Sequence, residues 1–331
     1  MAVGYSGTYS VVHAEAEGSN MITEKPTLLH AKDVSVGANA SESEIQSAIN
    51  SVSTAGGGTV TLANGTYKIS TPILLKSNVA LVGAGKGKTV LQISANLGAN
   101  GVLTANNANP AVNVIVKNLT VDGLKPNDPN VESDVSAVTN YGILLEGESY
   151  INNKVLFDNI EIKNTNMGLH IKGSTNITVQ NSEIHDNGGY YNFWHNVYLR
   201  RVSKVLITNC EIYNSHTGNG VNISYSEYVT INDSEIYDNY FRGVRVADSI
   251  HMDTINNVVY GNKTGDGIIY NSEFTGVSNF TISGNNVSDN YGYGIFTNGF
   301  SSNGDVISNI DGGGNAKGYI QNYGKEINIQ K

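Results

Sequence analysis

"NGVNISYSEYVTINDSEIYDN", Asn219 to Asn239, carries the pattern that decides the fold. After Gly220, the apolar Val221 and Ile223 alternate with Asn222 and Ser224, and near the end Ile236 stands between Glu235 and Tyr237. Alternation with a period of two is the mark of a strand with one buried face. A helix would space its apolar residues at 3.6, and this stretch does not.

The unit recurs on both sides. Its closing part reads "NIEIKNT" (159–165), "NSEIHDN" (181–187), "NCEIYNS" (209–215), "DSEIYDN" (233–239), "NNVVYGN" (256–262) and "NNVSDN" (285–290). From Ile162 to Val287 there are 125 residues in five intervals, a mean period of 25, within the range of solenoid repeats. The opening part follows a glycine each time: "YGILLE", "MGLHIK", "NGVNIS", "RGVRVA", "DGIIYN" and "YGIFTN", with Asn196 replacing the glycine in "HNVYLR". The inward set is Ile143/Leu145, Leu169/Ile171, Val197/Leu199, Val221/Ile223, Val244/Val246 and Ile268/Tyr270. Between strands lie Asn, Gly, Ser and Asp, which tolerate left-handed turns. Short strands repeated once per turn, without hairpin signals, predict an all-β, single-stranded parallel β-helix in which coils stack. Asn159, Asn181, Asn209, Asp233 and Asn257 are expected to form a side-chain ladder along one turn.

Composition agrees and narrows the function. Of 331 residues only 15% are charged, 37 are glycine, and the net charge is −9. Such a chain is no general nucleic-acid binder and no coat for anionic membranes. A lone cysteine, Cys210, excludes internal disulfides and cysteine zinc clusters. No apolar run approaches the roughly 18 residues of a transmembrane helix. Residues 1–30 read as a polar leader without a packing pattern, and 31–331 as a single β-helix domain. The expected location is extracellular, secreted or carried on a phage particle.

Near the N-terminus, "SESEIQSAINSV" (41–52) places Ser41 and Glu44 as a capping box ahead of Ile45, Ala48 and Ile49 on one helical face. This short helix is expected to plug the open end of the solenoid. With "GGGTVTLANGTY" (56–67) and "LVGAGKGKT" (81–89) after it, the chain resembles the pectate-lyase-like right-handed β-helix superfamily over residues 32–325. The resemblance implies a right-handed coil and a polysaccharide-active protein of the lyase or phage-depolymerase type. It leaves the chemistry open, because that superfamily includes lyases, hydrolases, epimerases and tailspikes.

Register locates the candidate site. Two residues beyond each glycine position stand Leu144, His170, Tyr198, Asn222, Arg245, Ile269 and Phe296; four beyond stand Glu146, Lys172, Arg200, Ser224, Ala247, Asn271 and Asn298; one before stand Tyr141, Met167, His195, Asn219, Arg242, Asp266 and Tyr293. Coils lie about 4.8 Å apart, so the polar members form one patch across four coils. One exposed arginine is an ordinary solvated charge, but like charges on adjacent rungs repel. Stacking Lys172 with Arg200, and Arg242 beside Arg245, therefore calls for an anion. The loop "GGYYNFW" (188–194) adds Tyr191 and Trp194, aromatic faces suited to sugar rings.

An acidic polysaccharide answers both features. Cleaving a uronate polymer by β-elimination needs groups that neutralise the carboxylate, a base for the C5 proton and an acid for the leaving oxygen. Arg200, Arg242, Arg245 and Asn219 fit the first role and His195 or Tyr198 the others, with His170, Lys172, Asn222, Asp266, Tyr191 and Trp194 holding substrate. Neighbouring arginines should depress the pKa of both His195 and Tyr198. No cofactor is expected: calcium-dependent pectate lyases gather several acidic ligands, and this patch offers chiefly Asp266. The epimerase motif "DPHE" is absent, yet C5-epimerisation remains an alternative, as does a noncatalytic carbohydrate-binding β-helix. A glycoside hydrolase or tailspike depolymerase would use paired carboxylates; Glu146 and Asp266 lie five coils apart, leaving Asp248 with Glu273. The chain is expected to act as a monomer or a homotrimer.

Overall fold

The computed structural model describes residues 23–124, 140–189, 193–272 and 274–330. Ten strands, from Ile73–Leu74 to Gly318–Asn322, stack in parallel into one sheet; the other twenty join in a second sheet that turns a corner. Asn152–Lys163 shows how: it pairs with both Ser174–Gln180 and Glu183–His185 of the next coil, bending at Asn159, whose φ is 52°. Asn181, Asn209 and Asp233 hold the same left-handed corner at 54°, 51° and 48°. A short polar side chain makes that conformation tolerable, so the recurrent asparagine encodes the bend.

The predicted interior is the observed one. Ile162, Ile184, Ile212, Ile236, Val259 and Val287 stack rung on rung and are fully buried. The helix Glu42–Thr54 starts at the predicted capping box, with the Glu44 amide 3.3 Å from Ser41 Oγ and the Ser41 amide 2.7 Å from Glu44 Oε2. Its Ile45, Ala48, Ile49 and Val52 close the core at that end.

Two details depart from the expected pattern. Asn257 does not continue the corner ladder; Asn256 does, with φ 56°, while Asn257 joins a buried column with Ser234 and Asn285. Cys210 occupies the same column, its amide 3.1 Å from Ser234 Oγ. At the N-terminal side, Thr23 is buried with Oγ1 3.1 Å from Thr178 Oγ1, and Glu24 pairs with Lys154 at 2.6 Å. The end of the expected leader therefore packs along the solenoid.

Asn196, the exception to the glycine rule, has a physical reason. A side-chain amide ladder runs through Asn239, Asn262, Asn290 and Asn315, but the equivalent position one coil earlier is Ser215, which has no side-chain amide. Asn196 reaches in to replace it, accepting from Asn187 Nδ2 at 2.9 Å and donating to Tyr213 O at 2.8 Å and Asn239 Oδ1 at 3.0 Å. Glycine elsewhere leaves room for the coil above: a Cβ on Gly220 would lie 2.7 Å from Asn239 Nδ2 and 2.8 Å from Gly243 O.

Candidate active site

The three columns form as the register requires. Leu144, His170, Tyr198, Asn222, Arg245, Ile269 and Phe296 are consecutive ladder partners, as are Glu146, Lys172, Arg200, Ser224 and Ala247. The backbone hydrogen bonds Asn196–Asn219, Gly220–Arg242 and Gly243–Asp266 carry the third column. His195, Tyr198, Arg200, Asn219, Arg242 and Arg245 line one groove of about 690 Å³, and Asn222 shares it. Residues spread over some fifty positions thus meet because strands two coils apart are separated by only about 10 Å.

Cations outnumber anions in the groove, where Asp248 is the one carboxylate among the described lining residues. Among the described residues, no carboxylate is in ion-pair contact with Arg200, Arg242 or Arg245. Arg242 stacks 3.7 Å over the Phe241 ring, and its Nε is buried without a hydrogen-bond partner. Burial, then the neighbouring Arg245 guanidinium, pull its pKa down to about 10. Arg245 Nη1 reaches Asn222 Oδ1 at 3.5 Å, and Asn219 Nδ2 donates to that oxygen at 2.9 Å. Arg200 Nη1 lies 3.4 Å from the Tyr198 hydroxyl, which is also 3.4 Å from Ser224 Oγ.

His195 is buried, and its neutral form prevails: burial, followed by Arg245, His170 and Arg242, pushes its pKa down to about 3. The Asn219 amide donates to its Nδ1 at 2.9 Å. That bond leaves the proton of the neutral ring on Nε2. His195 is therefore a donor at Nε2.

The remaining expected residues separate. Lys172 pairs with Glu146 at 2.8 Å, so its charge is balanced within the protein and needs no ligand. His170 lies one coil below the groove wall, between the rings of Tyr141 and Tyr198 at 5.1 Å from each. Both its ring nitrogens are buried without partners, and burial first of all pushes its pKa down to about 4. Asp266 accepts from the Tyr293 amide at 2.7 Å and so holds the coil above. Trp194 does not line the groove; Phe193 does, at 79% exposure. Tyr191 and Glu273 lie outside the described residues. Asp248 accepts from the Thr275 amide at 2.8 Å and from the Ser272 hydroxyl, which makes it a loop staple.

Sequence reasoning missed Tyr225, Phe241 and Phe274, which line the groove together with Asn271 of the Lys172 and Arg200 column. They sit in turns before and after the strands, where alternation carries no signal. Among the described residues, the one grouping of three metal-type donors, Glu161, Glu183 and His185, belongs to the other sheet. There His185 lies 2.6 Å from Asp186 and 3.2 Å from Glu161, Lys163 pairs with Glu161 at 2.8 Å, and Lys86 pairs with Glu183 at 2.5 Å. Protein cations already neutralise those carboxylates, and a metal ion would have to displace them.

Comparison with known proteins agrees with this architecture. Residues 100–273 and 141–311 match the family profile described as "Right handed beta helix region". Alginate lyase 7 of Azotobacter vinelandii is 31% identical over 156 residues, which is 44% of this chain and 18% of that protein. The A-module of mannuronan C-5 epimerase AlgE4 from the same organism superposes with a TM-score of 0.59 at 20% identity, over 88% of this chain and 96% of the module. The enzymatically active domain of bacteriophage CBA120 tailspike protein 2 superposes at 0.63 with 16% identity, over 91% of this chain and 47% of that one. The chain spans less than a third of the length of the curated relatives it matches.

Proposed function

The chain belongs to the right-handed β-helix region family, and from that premise we propose that it cleaves an acidic, uronate-containing polysaccharide by β-elimination. One observation carries the reading: Arg200, Arg242 and Arg245 surround His195 and Tyr198 with no carboxylate partner among the described residues. An anionic sugar supplies the missing charge. The similarity to an alginate lyase and to the epimerase module supports the substrate class.

The chemistry follows from the groups present. The uronate carboxylate lies against the guanidinium groups and Asn219, so negative charge passing from C5 into the carboxylate is stabilised as it develops. Tyr198, as phenolate beside Arg200, takes the C5 proton. The electron pair forms the C4=C5 double bond while the bond from C4 to the bridging oxygen breaks. That oxygen takes a proton back from the Tyr198 hydroxyl, and His195 Nε2–H supplies a hydrogen bond to the same region. The protein needs no oxidant, and the proton count closes within one turnover.

Epimerisation at C5 shares the first step and differs only in returning the proton to the opposite face of the ring. His170, neutral and unpartnered against Tyr198, is the observation that favours it. Hydrolysis by a carboxylate pair finds only the stapled Asp248 in the groove among the described residues. An extracellular setting suits a polymeric substrate, and no helix among the described residues is long and apolar enough to cross a membrane. The test is a panel of polyuronates followed by ultraviolet absorbance, reducing ends and proton NMR at C5. Elimination raises absorbance and reducing ends together. Reducing ends without absorbance overturn the proposal in favour of hydrolysis, and altered C5 resonances without cleavage favour epimerisation.

A further inference from the structure

Exposed aromatic rings follow one edge of the ten-strand sheet. Tyr225, Phe274, Phe300 and Tyr323 are 41, 69, 57 and 63% exposed. They come just after the strands Val221–Ser224, Ile268–Tyr270, Tyr293–Thr297 and Gly318–Asn322. The strand between the first two, Val244–Ala247, is followed by Asp248 at the same corner. From the first of these strands to the last is four coil steps, about 19 Å along the axis. Their turns are packed together: a Cβ on Gly276, two residues after Phe274, would lie 2.2 Å from the Phe300 carbonyl oxygen. Phe296, on the strand face, meets the Tyr323 ring edge-on at 5.9 Å.

A row of exposed apolar rings on one edge, broken at the Asp248 coil, is a binding feature rather than surface noise. Three facts specify its occupant. The row begins inside the groove, since Tyr225 and Phe274 line it. Beside Phe274, Asn271 also lines the groove, and its Oδ1 is buried without a hydrogen-bond partner. The row is narrow, with Asn298 between Phe296 and Phe300 held to the Ser272 carbonyl at 2.8 Å. Ring faces one residue wide, next to an unsatisfied amide acceptor, match pyranoses, which stack through C–H faces and donate hydroxyl protons at their edges.

We propose that this aromatic edge is an extended subsite for the sugar rings of a long polymer, leading from the arginine groove to the C-terminal coils. It rests on the reading of the groove as a polysaccharide site and adds that the protein prefers long chains over short oligomers. In the groove, charge selects the substrate; along the edge, stacking holds the rest of the chain.

The test compares the full chain with Phe300→Ala/Tyr323→Ala and with Arg245→Ala, titrating polymeric alginate and its trisaccharide by calorimetry. The double variant is expected to bind polymer roughly tenfold more weakly, ~1.4 kcal/mol, and trisaccharide unchanged. Phe300→Leu/Tyr323→Leu, which keeps apolar bulk without a ring face, is expected to lose the same affinity. If polymer binding survives in the double variant and falls only in Arg245→Ala, the extended subsite is wrong and the groove reading stands. If it falls only in the double variant, the edge is upheld and the anionic groove is wrong. Absence of binding by the unmodified protein overturns both, and a change confined to self-association in sedimentation overturns the extended subsite alone.

Discussion

Replacing Arg242 with methionine should separate stability from function. A guanidinium held at about 10 rather than 12.5 is disfavoured in its charged form by ~3 kcal/mol. Water in the open groove screens part of this, and the contact with Phe241 at 3.7 Å returns ~0.5–1 kcal/mol. A net cost to folding of ~1–2 kcal/mol remains. Because the pKa is depressed, the cost is in full force below pH 10 and fades only as pH rises through 10 toward 12.5. At pH 7, Arg242→Met therefore keeps the stem packed, removes the penalty and raises the thermal midpoint by roughly 2–4 °C. Turnover should fall by ~10²-fold, the scale of losing one preorganised charge stabiliser. Differential scanning calorimetry at low and high salt, paired with steady-state cleavage of a polyuronate, measures both. A midpoint lowered by a comparable amount, or turnover within twofold of the parent, would refute the claim that this charge is placed for a ligand.

Other predictions rest on separate contacts. Tyr198→Phe, which removes only the hydroxyl, and His195→Ala are each expected to lower kcat by ~10²–10⁴. Since His195 and His170 are held at about 3 and 4, the pH–rate profile should show no break near pH 6.5; a break there in the parent that vanishes in His195→Ala contradicts the assignment. Burial opposes the charge of His185, but Asp186 and Glu161 outweigh it and hold its pKa at about 9. Its raised pKa contributes stability in full below pH 6.5 and loses it as pH rises through 9, so the stability of the parent, but not of His185→Gln, should fall from pH 7 to 10. Asn196→Gly restores the repeat consensus yet removes three amide hydrogen bonds, and urea titration should find it ~1–3 kcal/mol less stable. Lys172→Ala, with Glu146 as its partner, should change polymer affinity less than threefold by calorimetry.

Much of the site was legible because a solenoid turns register into distance. Once the glycine position was recognised, His170, Tyr198, Asn222 and Arg245 had to be neighbours, and they are consecutive ladder partners. What failed was reading charge without its surroundings. Lys172 looked like part of the cationic cluster, but Glu146 on the previous rung takes its charge. For His195 the sequence leaves base and acid open, and the Asn219 amide, donating to Nδ1, directs the ring proton to Nε2. Trp194 drew notice for its residue type, whereas Phe193, Tyr225, Phe241 and Phe274 form the aromatic walls from turns that no periodicity predicts.

From sequence alone came the coil, its period, the inward and outward faces and the identity of the stacked columns, because backbone pairing between equivalent positions makes these one-dimensional properties. Tertiary structure decided which charges are balanced, which ring nitrogen holds the proton and which aromatics face the groove. Those depend on burial and on side-chain distances across turns of unequal length, where a repeat pattern carries no information.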